Sequence, residues 1–255
     1  MKIRRLHVLL ALLVVFVCAI PFHAKIRGSV ASVVQILKGR KTVADRLKEF
    51  GTVVHSRLAP TFTEVGIKYP PEKIILVGLK QEKLLEIWAS DGTRGFKYLK
   101  TYPILAASGT IGPKLAEGDR QVPEGVYEIE SLNPNSAFHL SLRVKYPNSF
   151  DREKARVDSR TELGSDIMIH GSSVSIGCLA IGDQAIEDLF VLAAETGIEN
   201  IKLFLSPIDF RSRKLSVELP NTPAWTSELY TNIRSELTHL TDNSKSRDEN
   251  GRATQ

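Results

Sequence analysis

Residues 170–179 read His170-Gly171-Ser172-Ser173-Val174-Ser175-Ile176-Gly177-Cys178-Leu179, and the reading of the chain turns on this stretch. Asp166-Ile167-Met168-Ile169 leads into it as a short β-like run that stops at Gly171. Ser175 to Ile181 returns as a second run through the cysteine. A tight reversal between the two runs brings His170 within hairpin reach of Cys178. The chain has two cysteines, and the other, Cys18, lies in the apolar start. With that start removed, Cys178 has no disulfide partner. In an oxidising compartment an unpaired thiol beside glycines and a histidine is a candidate nucleophile.

A thiol attacks a carbonyl as thiolate, so such a site needs a base near the sulfur and donors aimed at the oxygen that becomes negative. His170 is the candidate base. Gly177 permits a sharp turn or a positive φ just before Cys178, which directs the Gly177 and Cys178 backbone N–H groups toward one oxyanion. Losing one such donor costs roughly a hundred- to a thousand-fold in rate. The Gly171 carbonyl is placed to orient the far imidazole nitrogen. A plainer reading stands beside this one: Cys178 as a small buried hydrophobe between Gly177 and Leu179, and His170 as a satisfied core residue. Spacing alone leaves both open.

Upstream, Phe138, Leu140, Leu142 and Val144 alternate with His139, Ser141 and Arg143, the pattern of a strand with an apolar and a polar face. His139 falls on the polar face. Ile74 to Val77 and Leu84 to Trp88 are further β-like runs behind the breaker Tyr69-Pro70-Pro71. Before it, 29–65 reads as helical, with Val43, Leu47, Phe50 and Val54 at helical spacing and Pro60 as a breaker. Downstream, Asp183 is a candidate cap for a helix carrying Ile186, Leu189, Phe190 and Ala193, which Gly197 ends. Ile201 to Leu205 is a strand, 223–240 a terminal helix, and 241–255 a polar, disordered tail. The fold class is α+β, mainly β.

At the start, Lys2, Arg4 and Arg5 precede thirteen apolar residues from Val8 to Ile20, then Pro21 and Ala24. That is the layout of an export signal. At 1.5 Å per residue the apolar run covers about two-thirds of a bilayer core, so cleavage is favoured and an uncleaved anchor is the alternative. The net charge of +5 and pI of 9.1 come from cations scattered along the chain rather than clustered. With export, this argues against nucleic acid as a partner and leaves a membrane contact only if the signal stays on.

Ser175-Ile176-Gly177-Cys178-Leu179 with His170-Gly171 upstream resembles the signature of the YkuD-type L,D-transpeptidase catalytic domain, and within it the YafK branch. Three further blocks carry the resemblance: Ser108-Gly109-Thr110-Ile111-Gly112-Pro113-Lys114, Glu117 to Tyr127, and Asn133-Pro134-Asn135-Ser136-Ala137-Phe138-His139-Leu140-Ser141. Tyr146-Pro147-Asn148 also fits. The resemblance spans about 60–210. It implies a β-sandwich-like core, with Cys178 as nucleophile and His170 as general base and acid acting on diaminopimelate-containing peptidoglycan stem peptides in the periplasm or cell envelope. It implies no cofactor. Ile176 stands where the family usually has a second histidine, and the interval from His170 to Cys178 is shorter than usual; both fit the YafK branch. That branch also includes hydrolytic release of a lysine-linked lipoprotein, so amidase chemistry is the alternative product. A non-catalytic peptidoglycan-binding module is the alternative of another class.

The implied organisation is a signal or anchor at 1–24, a helical extension at 25–68, the catalytic domain at 69–210, a helical extension at 211–240 and a tail at 241–255. Arg120 and Lys114 sit in a Gly- and Pro-rich stretch placed to meet a stem-peptide carboxylate, although solvated loop charge is the preferred reading. Ser175 and His139, with Arg143 and Ser141, are candidates for the same cleft. Trp88 and Trp225 read as packing residues. A zinc site from His139, His170 and Cys178 lacks a close-spaced ligand pair, so no metal is expected.

Overall fold

The computed structural model describes residues 39–93, 95–173, 177–215 and 222–252; the expected export signal at 1–24 and Ser175 lie outside them. Helix α1 spans Val43–Val65 and starts in a capping box in which Thr42 and Asp45 satisfy each other's backbone N–H. It runs through Pro60, where the sequence predicts a break. Pro60 lies on the exposed side, while Gly51, Val54, Leu58 and Phe62 bury a continuous stripe. That stripe outweighs the one backbone hydrogen bond a proline removes. The helix ends at Gly66, whose φ of 65° is the left-handed stop.

Among the described residues nine strands follow in one mixed sheet: β1 (Lys73–Leu79), β2 (Leu84–Ser90), β3 (Lys97–Pro103), β4 (Ala106–Ala107), β5 (Gly125–Ser136), β6 (His139–Val144), β7 (Met168–His170), β8 (Leu179–Ala180) and β9 (Ile201–Ser206). Their order across the sheet is β3-β2-β1-β9-β5-β6-β7-β8-β4. The first half of β5 pairs with β9 and its second half with β6, so one long strand belongs to both halves of the sheet. The two outer strands are consecutive in the chain. Between them, Ile104 N–H donates to the Lys83 carbonyl and Leu105 N–H to the Ala180 carbonyl, which draws the edges together. The sheet is therefore strongly curled, an α+β fold dominated by β structure.

Strand β1 shows how the sheet separates two cores. Ile74 and Leu76 face the larger one, with α1 and the helix α3 (Asp183–Thr196); Ile75, Val77 and Leu79 face the smaller one, under the terminal helix α4 (Thr226–Arg252). Period-two burial on both faces is what a central strand requires. Helix α4 runs on to Arg252, past residue 240, where polar composition predicts the end of order. A short helix α2 (Ser149–Val157) bridges β6 and β7. Trp88 packs in the smaller core, and Trp225 stacks edge-on against Phe150. Among the described residues no helix is long and apolar enough to cross a membrane.

Candidate active site

Strands β7 and β8 are parallel, with Ile169 beside Leu179 and His170 beside Ala180. This corrects the expected hairpin: the chain leaves β7 at Gly171 and re-enters beside it in the same direction. Register partners share a face, and Ile169 and Leu179 are fully buried toward the larger core. His170, and Cys178 one residue before Leu179, therefore lie on the opposite face, two positions apart along the strand. Strand β6 extends this face, pairing Ser141 with His170 and Arg143 with Met168.

The His170 imidazole is 2% exposed, and its Nδ1 lies 2.6 Å from the Gly171 carbonyl oxygen. A carbonyl only accepts, so Nδ1 carries the proton and Nε2 is the basic nitrogen. Burial holds the imidazole below its ordinary pKa, against the Gly171 carbonyl, which favours the charged form. Cys178 is half-buried and in no disulfide, and its thiol donates to the Asp166 carbonyl at 3.6 Å. Burial raises the thiol pKa; the Met168 N–H and the Lys114 ammonium oppose that rise, and the Asp166 carboxylate adds to it. At neutral pH the pair is a thiol and a neutral imidazole. The two groups therefore do not rest as a thiolate–imidazolium ion pair.

Gly177 has a φ of 108°, a conformation closed to most other residues, and it sets the backbone direction into Cys178. Gly171 is required for a different reason. A Cβ there would stand 2.6 Å from Asp183 Oδ1 and 2.7 Å from the Phe138 carbonyl oxygen.

The remaining candidates separate. His139 Nε2 is 3.0 Å from Glu187 on α3 and its ring meets Phe50 of α1, so this imidazole is committed to the helices. Its φ of 75° breaks the strand alternation. Phe138 is thereby turned out of the core; it is 42% exposed and lays its ring on His170 at 4.7 Å between centroids. Arg120 is on the exposed rim of its loop, in keeping with solvated charge. Lys114 is not: it is buried, and its ammonium bonds the Asp119 carboxylate at 2.6 Å and the Ala116 carbonyl at 2.8 Å. Arg143 Nη1 is 2.7 Å from Asp166 Oδ1, which ties β6 to the residue whose carbonyl accepts the thiol's hydrogen bond. Asp183 does not cap α3, whose N-cap is Gly182; it accepts from Ser172 N–H at 2.7 Å instead. Phe138, Asp166 and Asp183 are the neighbours that sequence patterning does not assign to the site, because their contacts follow from the path of the backbone rather than from a local pattern. Among the described residues no group of three His, Cys, Asp or Glu side chains is arranged to hold a metal.

The profile of the YkuD L,D-transpeptidase catalytic domain matches residues 72–200, just over half of the chain. YafK of Escherichia coli (strain K12), which bears a provisional L,D-transpeptidase name, is 34% identical over 113 residues, covering 44% of this chain and 43% of YafK. The chain thus spans less than half the length of that relative. Among solved structures, the helical cell shape determining protein Pgp2 of Campylobacter jejuni superposes with a TM-score of 0.44 at 20% identity, covering 64% of this chain and 58% of Pgp2. L,D-transpeptidase 1 of Mycobacterium tuberculosis superposes at 0.30 with 16% identity, covering 52% and 62%. Because the profile runs from just before β1 to the turn that enters β9, and holds both His170 and Cys178, the chain belongs to the L,D-transpeptidase catalytic-domain family.

Proposed function

We propose that this chain is an exported cell-envelope enzyme that forms a thioester on Cys178 from diaminopimelate-containing peptidoglycan stem peptides, with His170 as base and then acid. In the first half-reaction the Cys178 sulfur attacks the scissile carbonyl carbon while its proton passes to Nε2 of His170. The tetrahedral oxyanion is met by backbone N–H groups at Gly177 and Cys178. On collapse the C–N bond breaks, and His170 returns the proton to the departing amine. In the second half an amine acceptor takes the acyl group and forms a crosslink or protein attachment; water in its place gives amidase or carboxypeptidase products. The observation that carries this reading is the pairing of β7 with β8, which sets His170 and Cys178 on one face with Nδ1 fixed on Gly171, leaving Nε2 basic.

The test is product analysis by mass spectrometry, using the full chain and its Cys178→Ala form with two substrates: peptidoglycan fragments bearing tetrapeptide stems, and a stem carrying a lysine-linked lipoprotein peptide. Cys178-dependent crosslinks are expected for acyl transfer. Cys178-dependent loss of the lysine-linked peptide assigns hydrolysis of that amide. Identical products from both proteins with every substrate would sink the catalytic reading and leave a peptidoglycan-binding module.

A further inference from the structure

The Gly171 carbonyl and the Ser172 N–H belong to the same peptide group. Its oxygen accepts from His170 Nδ1 at 2.6 Å, and its N–H donates to Asp183 Oδ1 at 2.7 Å. A carboxylate bonded to one end of an amide draws the group toward its charge-separated form and makes the oxygen at the other end a stronger acceptor. The segment carrying this peptide is tightly held. Gly171 N–H donates to the Leu140 carbonyl at 3.2 Å, Ile181 N–H to the His170 carbonyl at 3.0 Å, and Gly182 N–H to the Ser172 carbonyl at 3.1 Å. Ser172, although not glycine, is kept at a φ of 63°, a conformation that persists only where its surroundings over-determine it. Asp183 also stands so close to Gly171 that no side chain fits between them.

From this geometry we infer that Asp183 is a positioning residue for the base: its carboxylate acts on His170 through the Gly171–Ser172 peptide, filling by relay the role that a directly bonded carboxylate plays in other nucleophile–histidine sites. The inference rests on the proposal that His170 is the base. The relay fixes the imidazole's tautomer, aims Nε2, and stabilises the imidazolium formed when the thiol is deprotonated. The other charged groups around this end of the sheet are Glu187 on α3, which engages His139 and Arg57, Asp166 before β7, which pairs with Arg143 of β6, and Lys114. None of these bonds the Gly171–Ser172 peptide.

Asp183→Asn keeps an acceptor oxygen but removes the charge; Asp183→Ala removes both. The direct readout is the Nδ1–H resonance of His170 in the ¹⁵N-labelled full chain, assigned by its loss in His170→Ala. In Asp183→Asn it is expected to move upfield and exchange faster with solvent. Together with this, kcat falls about tenfold, the lower end of what losing an outer hydrogen-bond partner costs, while KM holds. The acid limb of the kcat profile moves to lower pH, because the imidazolium has lost a partner. Asp183→Glu is expected to restore part of both signals. A resonance that stays put in Asp183→Asn, or that moves with no loss of kcat, overturns the inference. If Asp183→Ala fails to fold, Asp183→Asn still decides. Undiminished turnover in His170→Ala would instead remove the proposed base, an outcome the resonance experiment separates from failure of the relay.

Discussion

At the scale of the residue, one backbone angle at His139 accompanies the exchange of two rings. Alternation along 138–144 predicts Phe138 in the core and His139 in the cleft, and the left-handed φ of His139 exchanges them. Phe138 then covers His170 and His139 goes to Glu187. That His170 and Cys178 come to neighbouring strands was legible because the two lie within nine residues of sequence. Phe138 and Asp183 were not, since their contacts with this segment depend on the path of β6 and on where α3 begins. The electrostatics make a prediction at this scale. A thiol raised above its ordinary value is protonated at pH 7, so iodoacetamide alkylation of Cys178 should keep accelerating through and beyond the ordinary thiol range of about pH 8.5. His170, lowered by burial, is neutral at pH 7, and turnover should fall only at a pH below the usual imidazole value of about 6.5. An alkylation rate already level below pH 7 would mean a resting thiolate–imidazolium pair.

At the scale of the element, strand identities were easier to read than their directions. Two runs separated by eight residues suggest a hairpin, because parallel pairs ordinarily need a crossover of a dozen or more. Here both strands are only two or three residues long, and the chain re-enters through the turn at Gly177. So short a pattern carries no signal of direction. Helix α1 gives the complementary case, where a strong local signal was overridden by packing. Its interior proline makes a prediction: Pro60→Ala adds a backbone donor within the helix and removes a ring from an exposed position. A gain of about 1–3 kcal/mol in urea unfolding is expected, since proline is about 3 kcal/mol worse than alanine in a helix interior and also restrains the unfolded chain. A loss of stability would show that the proline ring itself contributes to the packing of α1.

At the scale of the whole molecule, the blocks 108–114 and 117–127 carried the family resemblance without showing a strand pattern over most of their length. The structure gives the reason. They form a polar scaffold around Glu124, whose carboxylate, 1% exposed, accepts from Lys80 Nζ at 2.7 Å, Gly112 N–H at 2.9 Å and Tyr230 of α4 at 2.8 Å. Gln121 clips the same loop through the Thr110 and Gly112 carbonyls. Hydrophobic periodicity cannot reveal such a network, because its order is in hydrogen bonds. Glu124→Ala strands the buried Lys80 ammonium and should lower stability by about 3–5 kcal/mol in denaturant unfolding. A change below 1 kcal/mol would mean that water replaces the carboxylate.

The position of β9 has a consequence for how the chain acquires this structure. The strand inserts between β1, its parallel partner, and β5, its antiparallel one, although it follows them by 127 residues from Ile74 to Ile201 and by 80 from Gly125 to Leu205. Until 201–206 is available, β1 and β5 each present an open edge, and the two halves of the sheet are not joined through its middle. The nascent chain therefore cannot complete its core from the N-terminus forward. Folding waits for nearly the whole domain, the slow and non-local route that long sequence separation imposes. A chain ending before Ile201 is expected to leave both strand edges exposed to association rather than to form a smaller stable domain.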